Sequence, residues 1–307
     1  MPSVVCIGAV LIDELFFCGD PIITSTSNPA IQKKDIGGVM SNIARHLSLL
    51  EIDVEFITVF GSDSDAAFIK KSFLETGLSF QHSLQIDEPT GKYCAIHQPD
   101  GSLFTAACSD TLSKMITADF LQTRIDILKD AEIIVADTNL EIDALKWLIN
   151  FSLIEIKKLI IEPVSIAKAN KLSAIDLNGV FMVTPNQDEV FSIQQDSNHR
   201  LEHVSTKLIE RGISQVWISL GDKGSIMYNK TNQLQLGVPQ ITIKDSTGAG
   251  DAALAAWIFA YLNQYAEIDC LKIAHSFALD ILHKEGAVDK SITKQKLLSL
   301  RTKYYHG

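Results

Sequence analysis

Asp245-Ser246-Thr247-Gly248-Ala249-Gly250-Asp251 follows the apolar, β-branched run Val238 to Ile243 and opens an alanine-rich segment, Ala252 to Leu262. That order predicts a strand, a tight turn and a helix start. Gly248 and Gly250 let the backbone come close to a ligand, and the unpaired amides of a helix N-terminus attract an anion. Asp251 would lie among those amides, and two readings compete for it. It caps the helix while the glycines merely make the turn. Or it takes the proton of a hydroxyl that attacks a phosphoryl group, while the amides offset the developing charge.

Around this stretch, apolar runs alternate with helical patterns: strand Val54 to Phe60, helix Ser64 to Thr76, strand Phe80 to Ile86, helix Ala118 to Lys129, strand Ile133 to Ala136, helix Ile142 to Ile149 and strand Leu159 to Ile161. Such alternation predicts a mainly parallel sheet covered on both faces. Two insertions break it. One spans about 14–36; the other, about 88–110, reads as a hairpin, with Lys92 to His97 and Ser102 to Cys108 flanking Pro99-Asp100-Gly101. Together they are expected to build one small sheet, either a lid beside a crevice, a dimer surface, or both.

Ligands collect beyond the carboxyl ends of parallel strands, so residues there are candidates. Asp13, after the run Val4 to Ala9, either holds two sugar hydroxyls or is a loop residue. Gly37, Gly38 and Asn42 open a helix, either against a polar substrate or as a plain turn. Asn139, in Asp137-Thr138-Asn139, either reaches substrate or forms a turn. Asn186 and Glu189 share a face at a helix start, where they either hold a hydrated magnesium or cap the helix. Gly221-Asp222-Lys223-Gly224 either wraps nucleotide or is an ordinary hairpin turn. The helical segment Leu271 to Leu282 flanks an adenine or simply packs.

Composition narrows the classes. The 307 residues are 46% hydrophobic and 21% charged, which is globular. A formal net charge of −10 argues against a nucleic-acid or membrane-surface partner. Five scattered cysteines in no metal or redox spacing read as free thiols of a reducing compartment, and with no apolar leader the expected location is cytoplasmic.

In the order of these pieces, the chain resembles the ribokinase-like (PfkB) carbohydrate kinases along almost its whole length. The resemblance implies an α/β fold, a three-layer αβα sandwich with a mainly parallel central sheet and a small β-sheet lid, as one domain over 1–307. It implies transfer of the γ-phosphoryl group of ATP to a hydroxymethyl oxygen, with magnesium and, in several members, potassium. Asp251 then matches the catalytic base, and Gly248, Ala249 and Gly250 the anion hole. Asp13, Gly37, Gly38, Asn42 and Asn139 match the substrate side. Asn186, Ser219, Gly221, Gly224 and Thr247 match the ATP side, Asn186 and Glu189 the magnesium positions, and Asp245 and Thr247 the potassium site.

Within the family, Ser27-Asn28-Pro29, Gly37-Gly38-Val39, Ala136 to Leu140 and Glu162-Pro163-Val164-Ser165 resemble the pseudouridine kinase branch, which makes the 5′-hydroxyl of pseudouridine the expected acceptor and Asn28, Thr90 and Lys92 the expected base contacts. Val39 stands where ribokinases carry a lysine. Leu11 replaces a common Asn and Ser246 a common Thr. The alternatives are a kinase for ribose, another nucleoside or a related sugar, and a non-catalytic nucleoside sensor. A homodimer through the lid fits the same pattern.

Overall fold

The structure is a computed structural model that describes residues 2–195 and 200–305. The chain starts with β1 (Val4–Ile7), crosses into a second sheet with β2 (Leu11–Cys18) and β3 (Ala30–Gly37), and returns through α1 (Val39–Leu49) to β4 (Val54–Ile57). A short pair, β5 (Val59–Phe60) and β6 (Leu84–Gln85), brackets α2 (Ser64–Thr76) before β7 (Lys92–His97) and β8 (Leu103–Ser109) go back to the second sheet. Then come α3 (Ala118–Gln122), α4 (Ile125–Asp130), β9 (Ile133–Asp137), α5 (Ile142–Ile154), β10 (Lys158–Glu162), α6 (Ile166–Ala169), β11 (Val180–Val183), α7 (Gln187–Gln194) and α8 (Leu201–Glu210). β12 (Gln215–Ser219), β13 (Ser225–Asn229) and β14 (Gln233–Leu236) precede α9 (Ala249–Leu262), α10 (Glu267–Ile281) and α11 (Lys294–Tyr304).

The main sheet runs β14-β13-β12-β11-β10-β9-β1-β4, parallel from β12 to β4, with β13 and β14 antiparallel at one edge. Strand alternation sorts its side chains into two cores. Val4, Cys6, Ile133, Val135 and Ile160 face α1, α9 and α10; Val5, Ile7, Ile134, Ala136 and Ile161 face α5, α7 and α8. The αβα sandwich expected from the resemblance is therefore the fold observed, and the two insertions meet in one sheet ordered β3-β2-β7-β8.

Four local expectations fail. Val238 to Ile243 forms no strand: Pro239 has no N–H to give a ladder, and the run lies beyond edge strand β14, with Ile243 57% exposed. Asp13 lies inside β2 rather than in a loop after β1, because the chain re-extends at Leu11 to pair with β3 and β7. The segment Ala118 to Lys129 breaks into two short helices at Thr123, whose hydroxyl donates to Phe120 O at 2.7 Å. In addition, Phe80 to Ile86 pairs over only the two residues of β6.

Phe73, fully buried on α2, meets the rings of Phe56, Phe60 and Phe80 at 5.7 to 6.1 Å. Replacing Phe73 by Ala should lower unfolding free energy in urea by about 3–5 kcal/mol through lost burial and an unfilled cavity. The same change at Phe68, 44% exposed, should cost far less. Equal losses would mean that α2 is not anchored by this cluster.

Candidate active site

α9 begins at Gly248, whose φ of 76° is left-handed and where an added Cβ would lie 2.5 Å from Ala287 O, so only glycine fits. Gly250 is different: a Cβ there would meet nothing within 4 Å, so the space over the first-turn amides is open to a ligand. The amides of Gly250 and Asp251 have no intrahelical acceptor, and the helix dipole adds positive potential there. Asp251 is the acidic residue of that first turn. Its carboxylate does not cap the helix; Oδ2 instead accepts from Asn42 Nδ2 at 2.8 Å. Burial raises its pKa to about 7, the fields of Asp137 and Asp13 add to the rise, and the Asn42 bond opposes it. A carboxylate near neutrality is a far better proton acceptor than one at the ordinary value of 3.8.

Asn42 lies in the first turn of α1, directly after the Gly37-Gly38 turn, and its Oδ1 is buried without a partner. Asp13 is brought to the same place by close packing: a Cβ on Gly37 would overlap the Asp13 carboxylate. Burial, reinforced by Asp35 across the β2–β3 ladder, lifts Asp13 to about 6. In register with Asp13 stands Tyr93 on β7, and with Tyr93 stands Cys108 on β8, so all three side chains share the face that looks toward Asp251. Burial raises the Tyr93 hydroxyl pKa, and Asp13 and Cys108 raise it further. Tyr93 and Cys108 are further candidates that motif reading misses, because only the strand register reveals them.

At the ends of β9 and β10 lie Asp137 and Glu162. Asn139 is turned back on Asp137, giving it N–H and Nδ2 bonds of 2.9 and 2.8 Å, while Lys168 donates to its Oδ1. Asn139 thus buttresses Asp137 through a turn and presents Lys168 to the same pocket end. The three expected base contacts are placed elsewhere. Thr90 is buried and spends both its N–H and hydroxyl on Asp63, the N-cap of α2. Asn28 closes its own loop through Ile23 and Thr26 and lines a surface cavity with Phe16 and Cys18, residues of the opposite sheet face from Asp13. Lys92 is on that opposite face too, ion-paired with Glu14 at 2.8 Å and Asp65 at 3.1 Å.

Beyond Asp251 a cleft of about 380 Å³ runs between the β12–β13 turn and α10. Ser219, Gly221 and Gly224 form one wall, Ala249 and Gly250 the end nearest Asp251, and Ala278 and Leu282 the other wall. Gly221 to Gly224 is thus both a hairpin turn and a cleft wall, and the α10 segment both packs and flanks. Thr247 and Gly248 stand behind Ser246, which does the lining. A hydrogen-bond chain backs the cleft: Trp217 Nε1 donates to Ser225 Oγ at 2.8 Å, which is 2.7 Å from His275 Nε2. His275 Nδ1 is 3.0 Å from Tyr305 Oη, which donates to Gly237 O at 2.9 Å. Because Tyr305 gives its proton to Gly237, Nδ1 of His275 carries the hydrogen and Nε2 accepts from Ser225. Burial lowers the His275 pKa to about 4, which keeps the ring neutral.

A smaller pocket of about 180 Å³ shares Trp217, Ser219 and Gly250 with the cleft and is lined by Asn186, Glu189, Thr184 and Glu162. Asn186 and Glu189 form a full capping box, each main-chain amide bonded at 2.9 Å to the other's side chain. The box leaves lone pairs on both side chains. Burial raises Glu189, and it raises Glu162 well above the carboxylate range, with Asp251 and Glu189 adding repulsion. Carboxylates this short of positive charge, offering hard oxygen donors, fit a hydrated magnesium. Among the described residues no three acidic, His or Cys side chains cluster tightly enough to chelate a metal directly, so the fit is through water. Burial pushes Asp245 up, but the amides of Thr247 (2.9 Å) and Gly286 (3.2 Å) outweigh it and hold the carboxyl low. Both oxygens keep a lone pair, which fits a monovalent cation.

The family model described as pfkB family carbohydrate kinase matches residues 1–294. The chain is 24% identical to a pseudouridine kinase of Escherichia coli, over 97% of this chain and 96% of that one. It is 26% identical to an uncharacterized sugar kinase of E. coli, over 81% of this chain and 70% of the other. In structure it is similar to a ribokinase of Arabidopsis thaliana complexed with ribose and ATP, with a TM-score of 0.85 at 20% identity over 98% of each chain.

The raised pKa of Asp251 has a cost in stability. A carboxyl at about 7 in the folded chain and 3.8 when free destabilises the fold once ionised, so stability is lost as pH rises through that window. Asp251→Asn should therefore melt a few degrees higher than the wild type at pH 8, the gap closing as pH falls toward 4. A gap that is constant with pH would show that Asp251 is not desolvated.

Proposed function

The chain belongs to the pfkB family of carbohydrate kinases, phosphotransferases with an alcohol acceptor, and on that premise we propose that it phosphorylates the 5′-hydroxyl of pseudouridine from ATP. The observation that carries the reading is the place of Asp251: it lies between the open amides of α9 on one side and Asn42 and Asp13 on the other, with a pKa near 7. ATP lies in the 380 Å³ cleft with its γ-phosphate at the start of α9. The ribose hydroxyls of the acceptor bond to Asp13 and Asn42, whose unpartnered Oδ1 accepts a hydrogen bond from one of them. Tyr93 and Cys108 face the base.

Asp251 accepts the proton of the 5′-hydroxyl. The oxygen then forms its bond to the γ-phosphorus as the bond from that phosphorus to the bridging oxygen breaks, and ADP leaves. The amides of Gly250 and Asp251, which have no acceptor within the helix, take up charge on the equatorial oxygens. Glu189, Asn186 and Glu162 would hold magnesium through water, which supplies positive charge against the phosphates, and Asp245 and Thr247 would hold potassium. Support for pseudouridine comes from the E. coli kinase, aligned along nearly the whole of both chains. Support for a second reading, a kinase for free ribose, comes from the likeness to the ribokinase bound to ribose and ATP.

ADP release by the purified protein with ATP, magnesium and potassium should be fastest with pseudouridine, slower with uridine and slowest with ribose. Preference for ribose would replace the nucleoside reading by the second one. Asp251→Ala should lose about 10²–10⁴ in kcat while binding ATP as the wild type does; unchanged turnover would remove Asp251 from the mechanism.

A further inference from the structure

Arg45 is 2% exposed on α1, one turn after Asn42, yet its guanidinium is only partly satisfied among the described residues. It gives one hydrogen bond, from Nη1 to Ile36 O at a long 3.3 Å, and Nε is buried with no acceptor. A buried Nε–H with no acceptor is anomalous, since a buried guanidinium is normally paired with an anion. Burial lowers its pKa, while the field of Asp35 works the other way.

The unsatisfied side chain lines a cavity of about 110 Å³ between α1, α2 and β3, which has room for more than one water. Around it stand Lys71, Ser72, Lys290, Asp35 and Glu75. Ser72 Oγ is likewise buried without a partner. The carboxylates of the cavity are already engaged: Glu75 lies 4.0 Å from Lys290, and Asp35 Oδ1 accepts the amide of Ile36 at 2.7 Å. Among the described residues, neither Arg45 nor Lys71 has a carboxylate within ion-pair distance. Three cations against two carboxylates leave the cavity positive, in a chain whose net charge is −10.

We propose that this cavity is a binding site for a small oxyanion of the phosphate type, separate from the nucleotide cleft and the acceptor site. Nε of Arg45 and a terminal nitrogen form a fork for two oxygens, Ser72 donates a third bond, and Lys71 closes the outer side. None of these residues lines the cleft or the pocket of Glu162 and Glu189. The anion would tie β3, through the Arg45 bond to Ile36 O, to the body of the protein at α2.

The test measures inorganic phosphate binding by calorimetry and by melting temperature, at constant ionic strength and with a non-hydrolysable ATP analogue saturating the cleft. In the wild type, phosphate should bind and raise the melting temperature with the logarithm of its concentration. Lys71→Met, a surface change that leaves the fold intact, and Arg45→Met should each weaken binding by about ten- to a hundredfold. Asn186→Ala should leave it unchanged. No phosphate binding to the nucleotide-saturated wild type would overturn the site, and so would affinity unaltered in Lys71→Met.

Discussion

The hydrogen bond from Asn42 to Asp251 joins two helix starts that come from distant parts of the chain, and the site exists only where they meet. α1 and α9 lie in the same core, on the same face of the main sheet, so the position of each glycine turn is fixed by the packing of the helix that follows it. The long alanine-rich face of α9 allows this closeness: Ala252, Ala255, Ala256 and Ala260 are all buried, and larger side chains there would push the two turns apart. The bond also sets a balance. It favours the ionised Asp251 carboxylate against burial and two neighbouring acids, so one contact bears on both position and basicity.

The electrostatics around that bond run counter to the fold's own preference. Asp13, Asp137, Glu162, Glu189 and Asp251 crowd the carboxyl ends of the strands, and burial lifts every one of them. Lys168 is the cation whose field reaches Asp137 from within this group. Such an arrangement is tolerable because the helix amides of α9 supply fixed positive potential, and because cations accompanying a phosphate ligand relieve the remainder. Strain of this kind is what a preorganised phosphoryl-transfer site requires: donors and charges already in place before the reaction begins.

Much of this was legible in the residues. The alternation of apolar runs and helical patterns is set by local periodicity and survives into the structure, as do the glycine turns at Gly37 and Gly248. The failures have a common cause. Val238 to Ile243 has strand composition, but whether it pairs depends on which strand is at the edge, and no local pattern encodes that. Thr90 and Asn28 lie in the right insertions, yet the hydroxyl of Thr90 is claimed by Asp63 and the amide of Asn28 by its own loop. Tyr93 and Cys108 carry no motif for the opposite reason. Nothing about their neighbours in sequence is unusual; their place follows from cross-strand register.

The hydrogen-bond chain behind the nucleotide cleft has a bearing on how the protein is made. Trp217, Ser225 and His275 come from the sheet and α10, but the chain closes only when Tyr305 reaches Gly237. During synthesis the amino-terminal strands emerge first and begin to pair. The wall of the cleft, by contrast, waits for a side chain almost seventy residues downstream of the backbone carbonyl it anchors. Until Tyr305 has been made, the Gly237 carbonyl and His275 Nδ1 lack the partner that joins them, so this wall of the cleft is completed late in synthesis.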